Sequence, residues 1–446
     1  MNPNWFENSL CHVHLDMHMP AFPKGALSRF NAQRLIRVLK DAYVECAVVF
    51  AKDHFGMSFY PTRYGYPHPK MRGDILGELL AEGARQDISM IVYYSVGWDR
   101  KTGDEHPDWI MIDQKGQRVN DDGPYPSLCF NSPYIRKMVI PQVSEIVRRY
   151  SFRGFFFDIV FMPDQVCFCP FCRKMFEARY AQPLDSSMIG SMRKELDEFR
   201  GETIARFVRD IQWEVKRLNP SLWIGHNGPP QLIPDRRIVD GSDLIVIESQ
   251  PILPGGHHGH SLRCRAARTL GMPFQGITVR FQEGWGQASL KETVQLKQEF
   301  ASIAVHGGKV SCGDQMNVDG SLEKGVWRRI REALSFLHER RHLFLGFSAN
   351  RYLALVGDEK YSFPFPSYEI LPQVLGAHKI LNEGHFQFDV LTMERLPSRM
   401  HDYACLVLPE NIPVGEKMRD EITEFVADGG RLILFGNALE SFLDRQ

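Results

Sequence analysis

The stretch 154–172 reads GFFFDIVFMPDQVCFCPFC and holds two sets of residues able to do chemistry. Asp158 closes an apolar run, Phe155, Phe156 and Phe157, which is too short for a helix and suits a buried strand. A carboxylate there is costly unless it is paired or solvated in a cleft, so it marks a site. Glu248 closes a second apolar run, LIVIE, in the same way. Met162, Pro163 and Asp164 then break regular structure. Cys167, Cys169 and Cys172 follow as C-x-C-x-x-C. Thiolates so closely spaced suit tetrahedral zinc; the alternative is three reduced thiols in a tight turn. Cys129, in SLCFNSPY, is the best-placed fourth ligand. Four thiolates would leave no open position, so such a zinc would be structural, and no cofactor is expected for catalysis.

Short β-like runs must position these groups. Strands are predicted at 9–16, 44–51, 88–95, 154–160, 222–226, 244–248, 274–280 and 308–313. Helical spacing falls between them at 31–42, 73–86, 134–150, 188–218 and 290–306, and again at 322–343. Repeated strand–helix alternation predicts a (β/α)8 TIM barrel with long βα loops over residues 1–347. The pattern restarts over 348–446, with strands at 351–356, 404–409 and 431–436 and helices at 368–377 and 416–427. This second region reads as a small doubly wound, flavodoxin-like α/β domain, with the sequence stopping soon after its last strand.

In such a barrel, chemistry gathers where strands end. Reading each predicted exit yields His14, Asp16 and His18; Lys52 and His54; Tyr94; Asp158; His226 and Asn227; Glu248; Arg280 and Trp285; and Asp314. His12 and His18 also suit framework hydrogen bonds. Glu283 lies in a glycine-flanked loop.

AKDHFGMSFYPTRY, from Ala51 to Tyr64, resembles the A-K-H-H-D-G-F motif of glycoside hydrolase family 29, the α-L-fucosidases. IVYYS and GFFFD are similar to that family's third and fourth strands, the fourth ending in its catalytic Asp. HLDMH, GFFFDIVF and CFCPFC resemble more closely the hypothetical glycosyl hydrolase 6 family, which is fucosidase-like. The segment 403–436 resembles the β-galactosidase trimerisation domain of family 42 enzymes, which carry a similar C-x-C-x-x-C zinc cluster. Asp53-His54 stand where the fucosidase motif has paired histidines, so the resemblance does not name the sugar.

The resemblance implies a retaining glycosidase acting on small oligosaccharides, with Asp158 as nucleophile. Retention needs a second carboxyl group. Glu248 is the choice because burial at the end of its strand would favour the protonated form that a general acid needs. Glu283 and Asp314 are the reserves. The trimerisation-like segment implies a homo-oligomer, most simply a trimer. Two other readings exist. One is a metal-dependent amidohydrolase using His12, His14, His226 and Asp314; the other is an inactive carbohydrate-binding protein.

The net charge of −1 gives no reason to expect nucleic acid or an anionic membrane as partner. No apolar run approaches membrane-spanning length. Nine cysteines, an odd number with several in apolar runs, suggest reduced thiols and a cytoplasmic protein.

Overall fold

The computed structural model describes residues 4–162, 166–228, 232–253, 255–362 and 367–443; the expected break at Pro163 and Asp164 lies outside them. Eight parallel strands close into a barrel: β1 (Cys11–Asp16), β2 (Cys46–Lys52), β3 (Ser89–Ser95), β4 (Gly154–Asp158), β5 (Trp223–His226), β6 (Leu244–Glu248), β7 (Phe274–Val279) and β8 (Lys309–Gln315). Each pairs with the next, and β1 pairs with both β8 and β2. Strands β2, β3, β4 and β6 are nearly continuous apolar runs because helices cover their outer face and side chains fill the interior.

Helices Ala32–Asp41 and Ile75–Arg85 begin where Asn31 and Asp74 accept from the backbone N–H groups of Arg34 and Gly77. Caps of this kind contribute about 1 kcal/mol each. At the opposite end of the barrel from the strand exits, Trp5 and Phe6 pack on Trp223 with ring centroids 5.2 Å apart in both cases.

Register decides which side chains face inward. Phe50, Tyr93 and Phe156 are aligned across β2, β3 and β4 and stack inside the barrel, at 3.7 Å and 5.7 Å between centroids. One residue further on, Tyr94, Phe157 and His226 form a second ladder on the outer face. Successive side chains of a strand point to opposite faces, so the two ladders are a direct product of the period. Between Phe50 and Lys52 the register with β3 shifts at a β-bulge, and Lys52 aligns with the outer residue Tyr94.

A second parallel sheet follows, built from β9 (Leu353–Gly357), β10 (Phe388–Thr392), β11 (Cys405–Leu408) and β12 (Arg431–Leu434) in the order β10-β9-β11-β12. Its centre-outward order is that of doubly wound, flavodoxin-like sheets. Strand β10 was not expected from the sequence. The segment expected to be helical at 368–377 instead holds a strand, Ser367–Ile370, in an antiparallel ribbon with Glu359–Ser362; the helix is Pro372–Glu383. The sheet has its own apolar core, which also takes in Leu262 and Ala266 from the barrel helix Gly259–Ala267. Asp389, fully buried on β10, pairs with Arg268 of the barrel and with Arg351, and accepts from the Tyr403 hydroxyl.

Candidate active site

The strand exits enclose a pocket of about 380 Å³. Its floor is Phe156 and Asp158 from β4. Its walls are His14, Asp16 and His18 on one side, His54, Trp98 and Tyr125 on a second, and Asn227, Glu248 and Trp285 on a third.

Asp158 is held by three donors. The Tyr93 hydroxyl donates to Oδ2 at 2.5 Å; Asn227 Nδ2 and the Ile159 backbone N–H donate to Oδ1, both at 2.9 Å. Burial pushes the carboxyl up to about 6, against the Tyr93 bond, and the nearby Glu248 charge adds to the rise. Glu248 is half-buried. Its Oε1 accepts from Trp285 Nε1 and Gln250 Nε2, both at 2.7 Å. Its Oε2 accepts from Asn227 Nδ2 at 3.1 Å. One amide nitrogen therefore serves both carboxylates. Asp158 Oδ1 and Glu248 Oε2 lie at most the sum of those two distances apart, about 6 Å.

The histidines form a neutral, ordered wall. Ser95 Oγ donates to the Trp98 carbonyl at 2.8 Å, so it accepts from His54 Nδ1 at 2.7 Å. That leaves a lone pair on His54 Nε2, 3.7 Å from Asp158 Oδ2. His18 stacks on His54 at 3.8 Å, and its Nδ1 accepts the His54 backbone N–H at 3.1 Å. Burial lowers His14 and His18 to about 3 and His54 well below its ordinary value. Burial also raises Asp16 to about 7, while its Oδ1 accepts from the His18 backbone N–H at 2.7 Å. Asp53 stays out of the pocket. Its two oxygens take the backbone N–H groups of Met19 and Met57, tying the first two exit loops together.

Five expected site residues do not reach the pocket. Tyr94 and His226 belong to the outer ladder: Tyr94 donates to Gln142 at 2.7 Å, and His226 Nδ1 is 3.0 Å from Ser242 Oγ. The bulge in β2 turns Lys52 to the same outer face. Its Nζ meets Asp99 Oδ2 at 2.7 Å, Tyr134 at 2.7 Å and the Ser95 carbonyl at 2.9 Å. Arg280 and Asp314 also point outward and pair with each other at 2.9 Å. The side chain facing the pocket from β8 is Gln315. Asp314 therefore drops out as a reserve acid, and exposed Glu283 does not line the pocket either.

The constellation needed by an amidohydrolase is not assembled. His12 bonds Ser9 and Gln275 deeper in the barrel, while His226 and Asp314 face outward. Conversely, Tyr93, Tyr125 and Ile159 are site residues that exit reading passed over. Tyr93 was recoverable from the sequence, since it sits one step from Tyr94 on the face opposite.

Cys129, Cys167, Cys169 and Cys172 come together beside the pocket loops, all buried, with ligand atoms within 4.8 Å of one another. Cys129 Sγ lies 3.5 Å from both Cys172 Sγ and Cys169 Sγ. Tetrahedral zinc with Zn–S near 2.3 Å requires sulfurs about 3.8 Å apart, so the four thiols fit that ion. Asn131 Nδ2 and the Ile112 N–H point at Cys172 and Cys167 sulfurs, as donors to thiolates do. Among the described residues, no other group of metal-ligating side chains is so gathered.

Residues 31–159 match the family model described as Hypothetical glycosyl hydrolase 6, a match that ends just past Asp158. An α-L-fucosidase, isoenzyme 2 from Paenibacillus thiaminolyticus, is similar at 25% identity with a TM-score of 0.86 over 96% of this chain. This chain spans 64% of that enzyme's length. A β-galactosidase from Rahnella sp. R3 shares the fold at 17% identity and a TM-score of 0.73, over 96% of this chain and 70% of its own. One from Bacillus circulans sp. alkalophilus does so at 16% and 0.69, over 96% and 71%. No curated protein matches the sequence. The fold is thus that of glycoside hydrolases. Among the described residues, no helix is long and apolar enough to cross a membrane.

Proposed function

We propose that the protein is a glycoside hydrolase that removes a terminal sugar from small oligosaccharides with retention of configuration. The observation that carries this is the shared Asn227 amide, which draws Asp158 and Glu248 together over one pocket. Retaining enzymes place their carboxyl groups about 5–5.5 Å apart, whereas inverting ones leave about 6.5–9.5 Å for a water. The bound of about 6 Å favours the former.

In this reading Asp158 attacks the anomeric carbon as the glycosidic C–O bond breaks. Glu248 gives its proton to the departing oxygen. Water then delivers its oxygen to the anomeric carbon and its proton to Glu248, and Asp158 leaves as a carboxylate. Geometry supports this division of roles. Two donors already occupy Glu248 Oε1, so a proton belongs on Oε2, where only Asn227 must yield. Asn227 loses little there, since it keeps its bond to Asp158. The aromatic and histidine walls suit the apolar faces and hydroxyls of a sugar.

The four cysteines would hold one structural zinc, bracing the loops after β3 and β4 without entering the chemistry.

A panel of nitrophenyl glycosides tests the proposal, with α-L-fucoside first, then β-D-galactoside and arabinosides. Turnover of one, with the product's initial anomer matching the substrate by NMR, is the expected result. Inertness across the panel, or an inverted product, overturns the reading.

A further inference from the structure

Trp285 reaches Glu248 from the loop after β7, and three glycines stand around it. Gly284 and Gly286 flank it in the chain with φ +98 and +78, a left-handed backbone that an L side chain adopts only with strain. The third glycine lies on the barrel wall. Gln315 faces the pocket from β8 and side chains alternate along a strand, so Gly313 is the inward position beneath it. A Cβ on Gly313 would meet Trp285 Cη2 at 2.3 Å and Cζ2 at 2.9 Å. Real Cβ atoms do not come so close, and a fused ring cannot bend aside. The indole thus fills the space that a β8 side chain would have taken.

The seat has a second wall. His14 is aligned with Gly313 across β1 and β8, and its ring meets the indole at 5.3 Å between centroids. Held there, Trp285 points Nε1 at Glu248 Oε1, 2.7 Å away. Gln250, the other donor to that oxygen, lies against the same loop: a Cβ on Gly284 would come 3.4 Å from Gln250 Oε1. A carboxyl group is symmetric about its axis, so without such donors either oxygen could carry the proton. With both in place, Oε2 carries it, on the side where Asn227 links Glu248 to Asp158.

We propose that Trp285 is a positioning residue: seated in the space left by Gly313, its N–H holds Glu248 Oε1 so that the proton on Oε2 faces the leaving group beside Asp158. The inference rests on the glycosidase reading and on Glu248 as its acid.

The readout is a ratio, measured on the full chain: kcat on a dinitrophenyl glycoside, whose leaving group needs no proton, over kcat on an alkyl glycoside of the same sugar, whose leaving group does. Lost sugar contacts slow both and cancel in the ratio. Trp285→Phe keeps a ring and removes the N–H. It should raise the ratio about tenfold, part of the roughly hundredfold or more expected when the acid itself is lost. Gly313→Ala, with Trp285 intact, should raise it by a similar factor, because the methyl displaces the indole. Added to Trp285→Phe it should raise the ratio no further, since the shorter ring leaves room for the methyl. A native ratio in either single variant overturns this proposal alone. Rises that multiply in the double variant do the same, because Gly313 would then act elsewhere. If Gly313→Ala does not fold, the Trp285→Phe ratio decides. A native enzyme inert on every glycoside, or a Glu248→Gln enzyme with the native ratio, overturns the proposal together with the reading it rests on.

Discussion

Lys52 Nζ stands 2.7 Å from Asp99 Oδ2 in a fully buried ion pair on the outer face of the barrel, directly behind the pocket wall. Asp99 also caps helix Arg100–Glu105, and Lys52 also holds the carbonyl of Ser95, whose hydroxyl orients His54. Removing one partner leaves the other charge buried and unpaired. Lys52→Met should therefore destabilise the protein by about 3–5 kcal/mol in urea melts. Lys52→Met combined with Asp99→Asn should cost less than the sum of the single changes, because neither variant group is then an orphaned charge.

Tyr93 keeps Asp158 lower than burial alone would. Activity that needs the ionised carboxylate should fall on the acid side near pH 6, where the Asp158 carboxyl titrates. Tyr93→Phe removes the donor and should move that limb of the kcat/KM profile upward. A limb that stays in place or moves down would contradict the role given to the Tyr93 bond.

Asp158→Asn should abolish turnover. Asp158→Ala should regain part of it in azide or formate, either of which can attack in the missing carboxylate's place. Glu248→Gln should spare dinitrophenyl glycosides, whose leaving group needs no proton, and should slow poor leaving groups by about a hundredfold or more. Equal losses on both substrate classes would remove Glu248 from the acid/base role.

Stability should fall with acid. Burial lowers His12, His14, His18 and His226 from 6.5 to about 3. Between those values the unfolded chain binds more protons than the folded one, so stability rises with pH across that window and is lost on descending it. Asp16 and Asp158 act in the opposite sense, since their folded values of about 7 and about 6 lie above 3.8. The histidines outnumber them. Urea midpoints at pH 7 and pH 5 should show the loss, and His226→Phe should shrink it.

The cysteine cluster predicts about one zinc per chain in protein made with the metal present. Cys169→Ser should lose the metal and lower Tm. A metal content near zero by elemental analysis would end the zinc proposal.

Much of this was legible in the sequence. All eight barrel strands fall where apolar runs place them, and reading their exits found His14, Asp16, His54, Asp158, Asn227 and Glu248 around one pocket. Four of the failures share one cause. Adjacent positions at a strand's end face opposite ways, so Tyr94, His226, Arg280 and Asp314 were taken where a neighbour holds the inner face. Starting from Asp158 and stepping by two would have chosen Phe156, and from its aligned partner, Tyr93. Lys52 is a different case: strict alternation from Phe50 puts it inside, and only the bulge turns it out. A bulge depends on pairing with a distant strand, which local composition does not encode. Strand β10 was missed because its five residues, FDVLT, give too short a signal to stand apart from the helix before it. The left-handed backbone of Ile159, at φ +60, was likewise hidden, since nothing in the residue type suggests it.

The bond from Trp285 Nε1 to Glu248 gives the site an optical handle. Indole emission responds to hydrogen bonding and to displaced solvent. Two of the chain's seven tryptophans, Trp98 and Trp285, line the pocket. A sugar settling against them would change the fluorescence whether or not it is cleaved. Titrations in which intensity is followed for the intact protein, then for Trp285→Phe, can rank candidate sugars before any chromogenic glycoside exists for them.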